Sequence, residues 1–194
     1  MEKEDNDHQE IPQMNDMKLG RSTASDTREK LSSQDVISLL NLEPLPGEGG
    51  FFHQTYKSST RLDIPDIGNR AVSTAIYYLM TQKEFSALHR LKHDEVFHFY
   101  RGTPVEMLQI YPDGQYKIFI LGNDVARQHM PQVIVPSGVW QGLRLLHSDR
   151  DDWALLGTTV APGFEFADFE LGDRASIADR FPDIRKLIEK FTRD

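Results

Sequence analysis

Hydrophobic and polar positions change character near residue 31. Before it, Asp, Glu, Asn and Gln surround isolated Met and Ile, and no apolar cluster forms. Such a stretch cannot bury enough surface to offset the entropy of ordering it, so residues 1–30 are expected to be a disordered acidic tail. After it, Val36, Ile37, Leu39 and Leu40 recur at helical spacing behind Ser32 and Ser33, either of which can cap a short helix, and Pro44 and Pro46 end it. The pair Gly49-Gly50 then turns the chain into Phe51-Phe-His-Gln-Thr-Tyr56, whose alternation predicts a strand.

Short β patterns follow in close succession: 71–80, 85–91, 95–100, 105–111, 115–121, 132–135, 142–146 and 153–160. Turn chemistry falls between them, as at Arg101-Gly102, Pro112-Asp-Gly114, Gly122-Asn-Asp124 and Pro136-Ser-Gly138. Strands at this spacing without intervening helices predict an all-β antiparallel sandwich or barrel rather than βαβ units. A last helix is predicted over 184–191, with Ile184, Leu187, Ile188 and Phe191 on one face. Residues 31–194 therefore read as one domain.

Composition narrows the chemistry. The 194 residues include no Cys, which excludes disulfides, thiolate zinc sites and cysteine nucleophiles. A formal net charge of -8, with no basic stripe to interrupt it, argues against nucleic acid as a partner. No run approaches the ~18 apolar residues of a membrane span, and the N-terminus lacks the basic start and apolar core of a signal peptide. The expectation is a cytoplasmic protein, in the cytosol or nucleus, without a membrane partner.

Candidate chemistry gathers in two places. In Phe85-Ser-Ala-Leu-His89-Arg-Leu-Lys-His93-Asp-Glu95-Val-Phe-His98-Phe-Tyr-Arg-Gly102, His89 and Leu91 share one strand face. A tight turn at 92–94 would bring Glu95 back beside His89 on a neighbouring strand, with Phe97 following it inward. Such a pair could ligate a metal or transfer protons; it could equally be a satisfied polar pair plugging a barrel mouth. His98 has the opposite parity, and His93 is expected in solvent. The second place, Val133-Ile-Val-Pro136-Ser-Gly138-Val-Trp140-Gln141-Gly142, offers an aromatic platform and an amide, although a Trp there is also a natural core residue.

These two segments resemble the paired motifs of the cupin superfamily, Gly-x5-His-x-His-x3-4-Glu-x6-Gly and Gly-x5-Pro-x-Gly-x2-His-x3-Asn. His89, Glu95, Gly102, Pro136 and Gly138 match; Leu91 and Gln141 replace histidines, Lys83 and Met130 replace glycines, and Leu145 replaces the Asn. Glu48-Gly-Gly-Phe-Phe-His-Gln-Thr-Tyr-Lys-Ser58 and Gly157-Thr-Thr-Val-Ala-Pro-Gly-Phe-Glu-Phe-Ala-Asp-Phe-Glu170 look like the cupin 5 family, a domain family of unknown function, over roughly 33–172. The resemblance implies a double-stranded β-helix (jelly-roll) barrel, commonly dimeric, with a small-molecule pocket. Of the usual metal-ligand positions only His89 and Glu95 are retained, so no tightly held metal and no cofactor are expected.

The barrel is also similar to that of nucleotide-sugar epimerases, metal-free cupins in which a His takes a proton beside a carbonyl and a Tyr returns one. That similarity implies His89 as base, Glu95 as its carboxylate partner and Tyr78 as the substitute acid, since strand 153–160 carries no Tyr. Gln141, Trp140, His98 and Phe97 are the candidate ligand contacts. Two readings stay open: a metal-independent isomerase or epimerase, and a non-catalytic protein binding a nucleotide, nucleotide sugar or related metabolite. A donor such as Tyr78 lying across the pocket from His89 would separate them.

Overall fold

In the computed structural model, residues 31–147 and 152–193 are described; the expected 1–30 tail lies outside them. The first helix, α1 (Ser33–Leu39), begins where Ser32 and Asp35 cap one another: the Ser32 hydroxyl accepts from the Asp35 amide, and the Asp35 carboxylate accepts from the Ser32 amide at 2.8 Å. That reciprocal pair satisfies two donors a helix start leaves open.

The strands are β1 (Glu43–Pro44), β2 (Phe51–Lys57), β3 (Arg61–Ile64), β4 (Gly68–Ala71), β5 (Thr74–Thr81), β6 (Ser86–Leu91), β7 (Glu95–Gly102), β8 (Val105–Ile110), β9 (Tyr116–Leu121), β10 (Gln132–Val135), β11 (Trp140–Leu145), β12 (Trp153–Val160) and β13 (Phe169–Leu171). They form a six-stranded sheet, β1-β2-β5-β12-β7-β10, facing a five-stranded sheet, β13-β6-β11-β8-β9, with β3-β4 as a separate hairpin. Every named pairing is antiparallel, and the two sheets enclose the core of an all-β cupin jelly-roll barrel.

Strand parity decides what fills it. Tyr78 and Met80 of β5, Phe97 and Phe99 of β7 and Leu156 of β12 meet Met107 of β8 and Leu143 and Leu145 of β11 between the sheets. The intervening residues of the five-stranded sheet, Leu88, Leu108, Ile110 and Trp140, point outward and are covered by α2 (Arg174–Arg180), α3 (Arg185–Ile188) and the turns around them through Ile177, Phe181, Ile188 and Phe191. On the other sheet, α1 buries Val36 in a cluster with Leu79 and Trp153.

The predicted 184–191 helix is instead a 3-10 turn, the four-residue α3 and a second 3-10 turn. Ile188 and Phe191 are both fully buried, and residues three apart eclipse one another in the tighter helix. The β3–β4 hairpin and α2 had no counterpart in the sequence reading. Most of the hairpin is exposed, with only Ala71 buried, so it shows no alternation to read.

Candidate functional site

β6 and β7 belong to different sheets, which corrects the expected pairing of His89 and Glu95 on neighbouring strands. His89 lies in register with Gln141 of β11, whereas Glu95 pairs with Val135 and Val160 in the opposite sheet. The turn at 92–94 thus crosses the barrel rather than closing a hairpin, and His89 with Gln141 faces Glu95 across the interior. Gln141 Nε2 closes the span, donating to Glu95 Oε2 at 2.7 Å.

A residue the sequence reading did not single out completes the cluster. Glu48 sits in the loop between β1 and β2, whose Gly49 and Gly50 have φ of +97° and +74°. Only glycine suits both positions: a side chain on Gly49 would collide with Arg193 and the Phe85 carbonyl, and one on Gly50 would meet Tyr78 and the Leu79 carbonyl. The loop docks on β6 through the Ala87 amide, which donates to the Glu48 carbonyl at 2.8 Å, and Arg193 ties it down by donating to the Gly47, Glu48 and Phe85 carbonyls. An acidic residue before two glycines was the available signal.

Glu48 Oε1 accepts from Ser86 Oγ at 2.7 Å, and Glu48 Oε2 lies 3.8 Å from His89 Nε2. Ser86 and His89 are three apart, so regular alternation would place them on opposite faces. The β6–β11 register shifts between Gln141 and Leu143, giving β6 one extra residue, and this bulge lets Ser86 reach the same carboxylate. His89 Nδ1 contacts the Ala87 carbonyl at 2.8 Å; a carbonyl only accepts, so Nδ1 carries the proton and Nε2 is left facing Glu48.

These groups floor a cavity of about 110 Å³. His89, Glu48, Glu95 and Thr158 supply its polar end, and Leu45, Phe52, Ile76, Leu91, Phe164, Phe166 and Phe169 its apolar walls. Burial raises the Glu95 pKa above the usual carboxylate range, and the Glu48 charge pushes the same way; His89, Gln141 and Thr158 oppose it.

The remaining expected site residues lie elsewhere. Tyr78 is buried behind Glu48, its hydroxyl donating to the Gly49 carbonyl at 2.8 Å; burial, then the Glu48 charge, hold its pKa well above the ordinary phenol value. Trp140 points away from the cavity into the cluster beneath the C-terminal helices, with the Arg90 guanidinium 4.6 Å from its ring. Phe97 shares Glu95's face but lies two residues further along β7, in the core. His98 is on the outer face, against Gln132 and Tyr100.

His93, expected in solvent, is only 8% exposed. Its Nε2 stands 3.7 Å from Asp168 Oδ2, while Arg70 Nη2 and Lys92 Nζ stand 3.3 and 3.9 Å from Oδ1. The Lys92 amide also donates to the Asp168 carbonyl. This clasp anchors the segment that presents Phe164, Phe166 and Phe169 to the cavity.

The metal of many cupins does not fit this floor. Leu91 puts a hydrocarbon where a ligand would stand, the Gln141 amide nitrogen is committed to Glu95, and no three His, Asp or Glu side chains among the described residues are arranged to hold an ion.

Two antiparallel sheets around one polar-floored cavity define a small cupin barrel. The chain belongs to the cupin superfamily family Cupin_5 (DUF985), whose model matches residues 34–172. It is similar to the uncharacterized protein YML079W of Saccharomyces cerevisiae, 30% identical over 132 residues; the match covers 62% of this chain and 66% of that protein, just under two thirds of its length. Among solved structures it is similar to protein SO0799 of Shewanella oneidensis, with 33% identity, TM-score 0.76 and 84% and 99% of the two chains covered. A hypothetical protein from Leishmania major matches with 27% identity, TM-score 0.78 and coverage of 84% and 100%. No helix among the described residues is long and apolar enough to cross a membrane.

Proposed function

We propose that this protein is a metal-independent small-molecule cupin whose cavity supports acid/base chemistry of the isomerase or epimerase type. The observation that carries the reading is the orientation of His89. With Nδ1 held by the Ala87 carbonyl, the ring turns Nε2, the nitrogen that bears the lone pair in the neutral form, toward Glu48 at the cavity floor. In this mechanism Nε2 takes a proton from carbon next to a substrate carbonyl, and Glu48 steadies the imidazolium that forms. Glu95, on the opposite sheet, holds its proton to higher pH than an ordinary carboxyl and returns one to the other face.

Tyr78 favours a second reading. Its hydroxyl is engaged by Gly49 and it does not line the cavity, so the tyrosine acid implied by the epimerase similarity has no counterpart there. Without a competent acid the same cavity is a binding site, for a nucleotide, a nucleotide sugar or a related metabolite. A phosphate in such a ligand would stay at the mouth, away from two carboxylates.

A thermal-shift screen against nucleotides, nucleotide sugars, sugar acids, polyols, amines and divalent metals tests both readings, because a ligand that prefers the native state raises its melting temperature. A hit that is lost in His89→Asn supports the site. Deuterium exchange from solvent into a bound carbonyl compound separates catalysis from binding. Hits that all survive His89→Asn would reject both readings.

We also propose a homodimer. β1 covers only Phe51 and Phe52 of β2, leaving His53 to Lys57 as an edge without a neighbouring strand among the described residues. Sedimentation giving a monomer at micromolar concentration would refute it.

A further inference from the structure

The charges around the cavity are unbalanced. Glu48 and Glu95 line it with His89, and no Lys or Arg among the described residues does. Three donors at the floor are already engaged: Ser86 Oγ with Glu48, Gln141 Nε2 with Glu95, and His89 Nδ1 with Ala87. What remains open at the floor is acceptor in character. Glu48 Oε2 and His89 Nε2 stand 3.8 Å apart, beyond hydrogen-bond reach, and both residues line the cavity. His89 is 2% exposed. Beyond this floor stand the rings of Phe52, Phe164, Phe166 and Phe169, whose faces attract positive charge.

We propose that the cavity binds a small organic cation, an amine or amidine on one ring or a short hydrocarbon. Its N–H groups donate to Glu48, Glu95 and His89 Nε2, and its apolar body packs among the phenylalanines. The assignment rests on the reading of this cavity as a small-molecule site and narrows it. Size follows from the cavity volume of about 110 Å³. An apolar cavity of ~150 Å³ accepts benzene. The enclosed space is smaller than that, so a single ring more than fills it and extends past Phe166, which is 64% exposed. An anionic group meets the carboxyls of Glu48 and Glu95, with no Lys or Arg among the described lining residues to offset them.

Glu95 supplies a further readout. A bound cation favours its ionised form, so binding expels a proton and tightens as pH rises through the raised Glu95 value.

Calorimetric titration with benzylamine, benzyl alcohol and benzoate, three probes of similar size, tests the assignment. Benzylamine is expected to bind, benzyl alcohol more weakly and benzoate not at all. Glu48→Gln keeps an acceptor for Ser86 and should weaken benzylamine by roughly tenfold to a hundredfold. Phe166→Ala, at an exposed position that does not endanger folding, should weaken it by about two- to fivefold. Benzoate binding as tightly as benzylamine, or benzylamine binding indifferent to both substitutions, would overturn the assignment. Failure of all three probes overturns the cation assignment alone. The small-molecule reading is then decided by the wider screen, where a neutral or anionic hit lost in His89→Asn keeps the site and rejects its charge preference.

Discussion

Asp168 and His89 are both nearly buried, both ringed by charged side chains, and opposite in charge balance. Around Asp168 one carboxylate meets Arg70, Lys92 and His93, so the cluster supplies its own countercharge. Around His89 two carboxylates meet one imidazole, and no Lys or Arg among the described residues lines the space between them. Buried charge is retained cheaply when it is neutralised internally and expensively when it is not. The clasp therefore reads as architecture that keeps the phenylalanine segment over the cavity. On the proposed function, the floor is a site that gives up stability for ligand binding.

Removing Asp168 should have the largest effect, because it leaves Arg70 and His93 without their shared anion. Asp168→Ala is expected to cost about 3 kcal/mol in urea denaturation. A cost under ~1 kcal/mol, no more than an ordinary hydrogen bond, would erase the distinction drawn here. His89→Asn comes next, with about 1 kcal/mol for the contact with Ala87 but complete loss of any ligand detected in the wild type. The reverse outcome, a large stability loss with ligand uptake intact, would make the floor structural as well.

Glu95→Gln should be smaller and opposite in sign. The folded pKa of Glu95 is raised, so the folded state binds its proton more tightly than the unfolded chain does. Below about pH 4 both states are protonated and no penalty exists; the penalty grows with rising pH and is complete above the raised value. The variant, which still accepts from Gln141, should match the wild type near pH 4 and exceed it at pH 7. Parallel melting curves across that range would remove the case for a strained carboxyl. Smallest of all, Phe166→Ala should leave unfolding within about 0.5 kcal/mol of the wild type, as expected for an exposed side chain.

The barrel was legible because runs of β-branched and aromatic residues alternate with turn residues, and β7 and β10 add a buried and an open face in period two. Gln132–Val135 and Trp153–Val160 coincide with the expected segments. β3 and β4 were not legible because neither face is buried along most of their length. In the site, parity brought His89 and Glu95 to the same interior, but local pattern cannot say that a three-residue turn changes sheets. The same rule would have separated Trp140 from Gln141, since adjacent strand residues face opposite ways. Gln141 turns in to Glu95 and Trp140 turns out under the helices. His93 escaped because its partner Asp168 is 75 positions away, a contact that no spacing rule reports.

Arg193 gives the site a dependence on the order of synthesis. It grips the carbonyls of Gly47 and Glu48 from 145 or more positions further along the chain. A ribosome holds back its last few tens of residues, so the Glu48 loop, His89 and Glu95 all emerge while Arg193 is still inside the exit tunnel. A nascent barrel at that stage can close its sheets with the Glu48 loop still unpinned. Pinning of the Glu48 loop then becomes a late event, coupled to the emergence of Arg193 rather than to closure of the barrel.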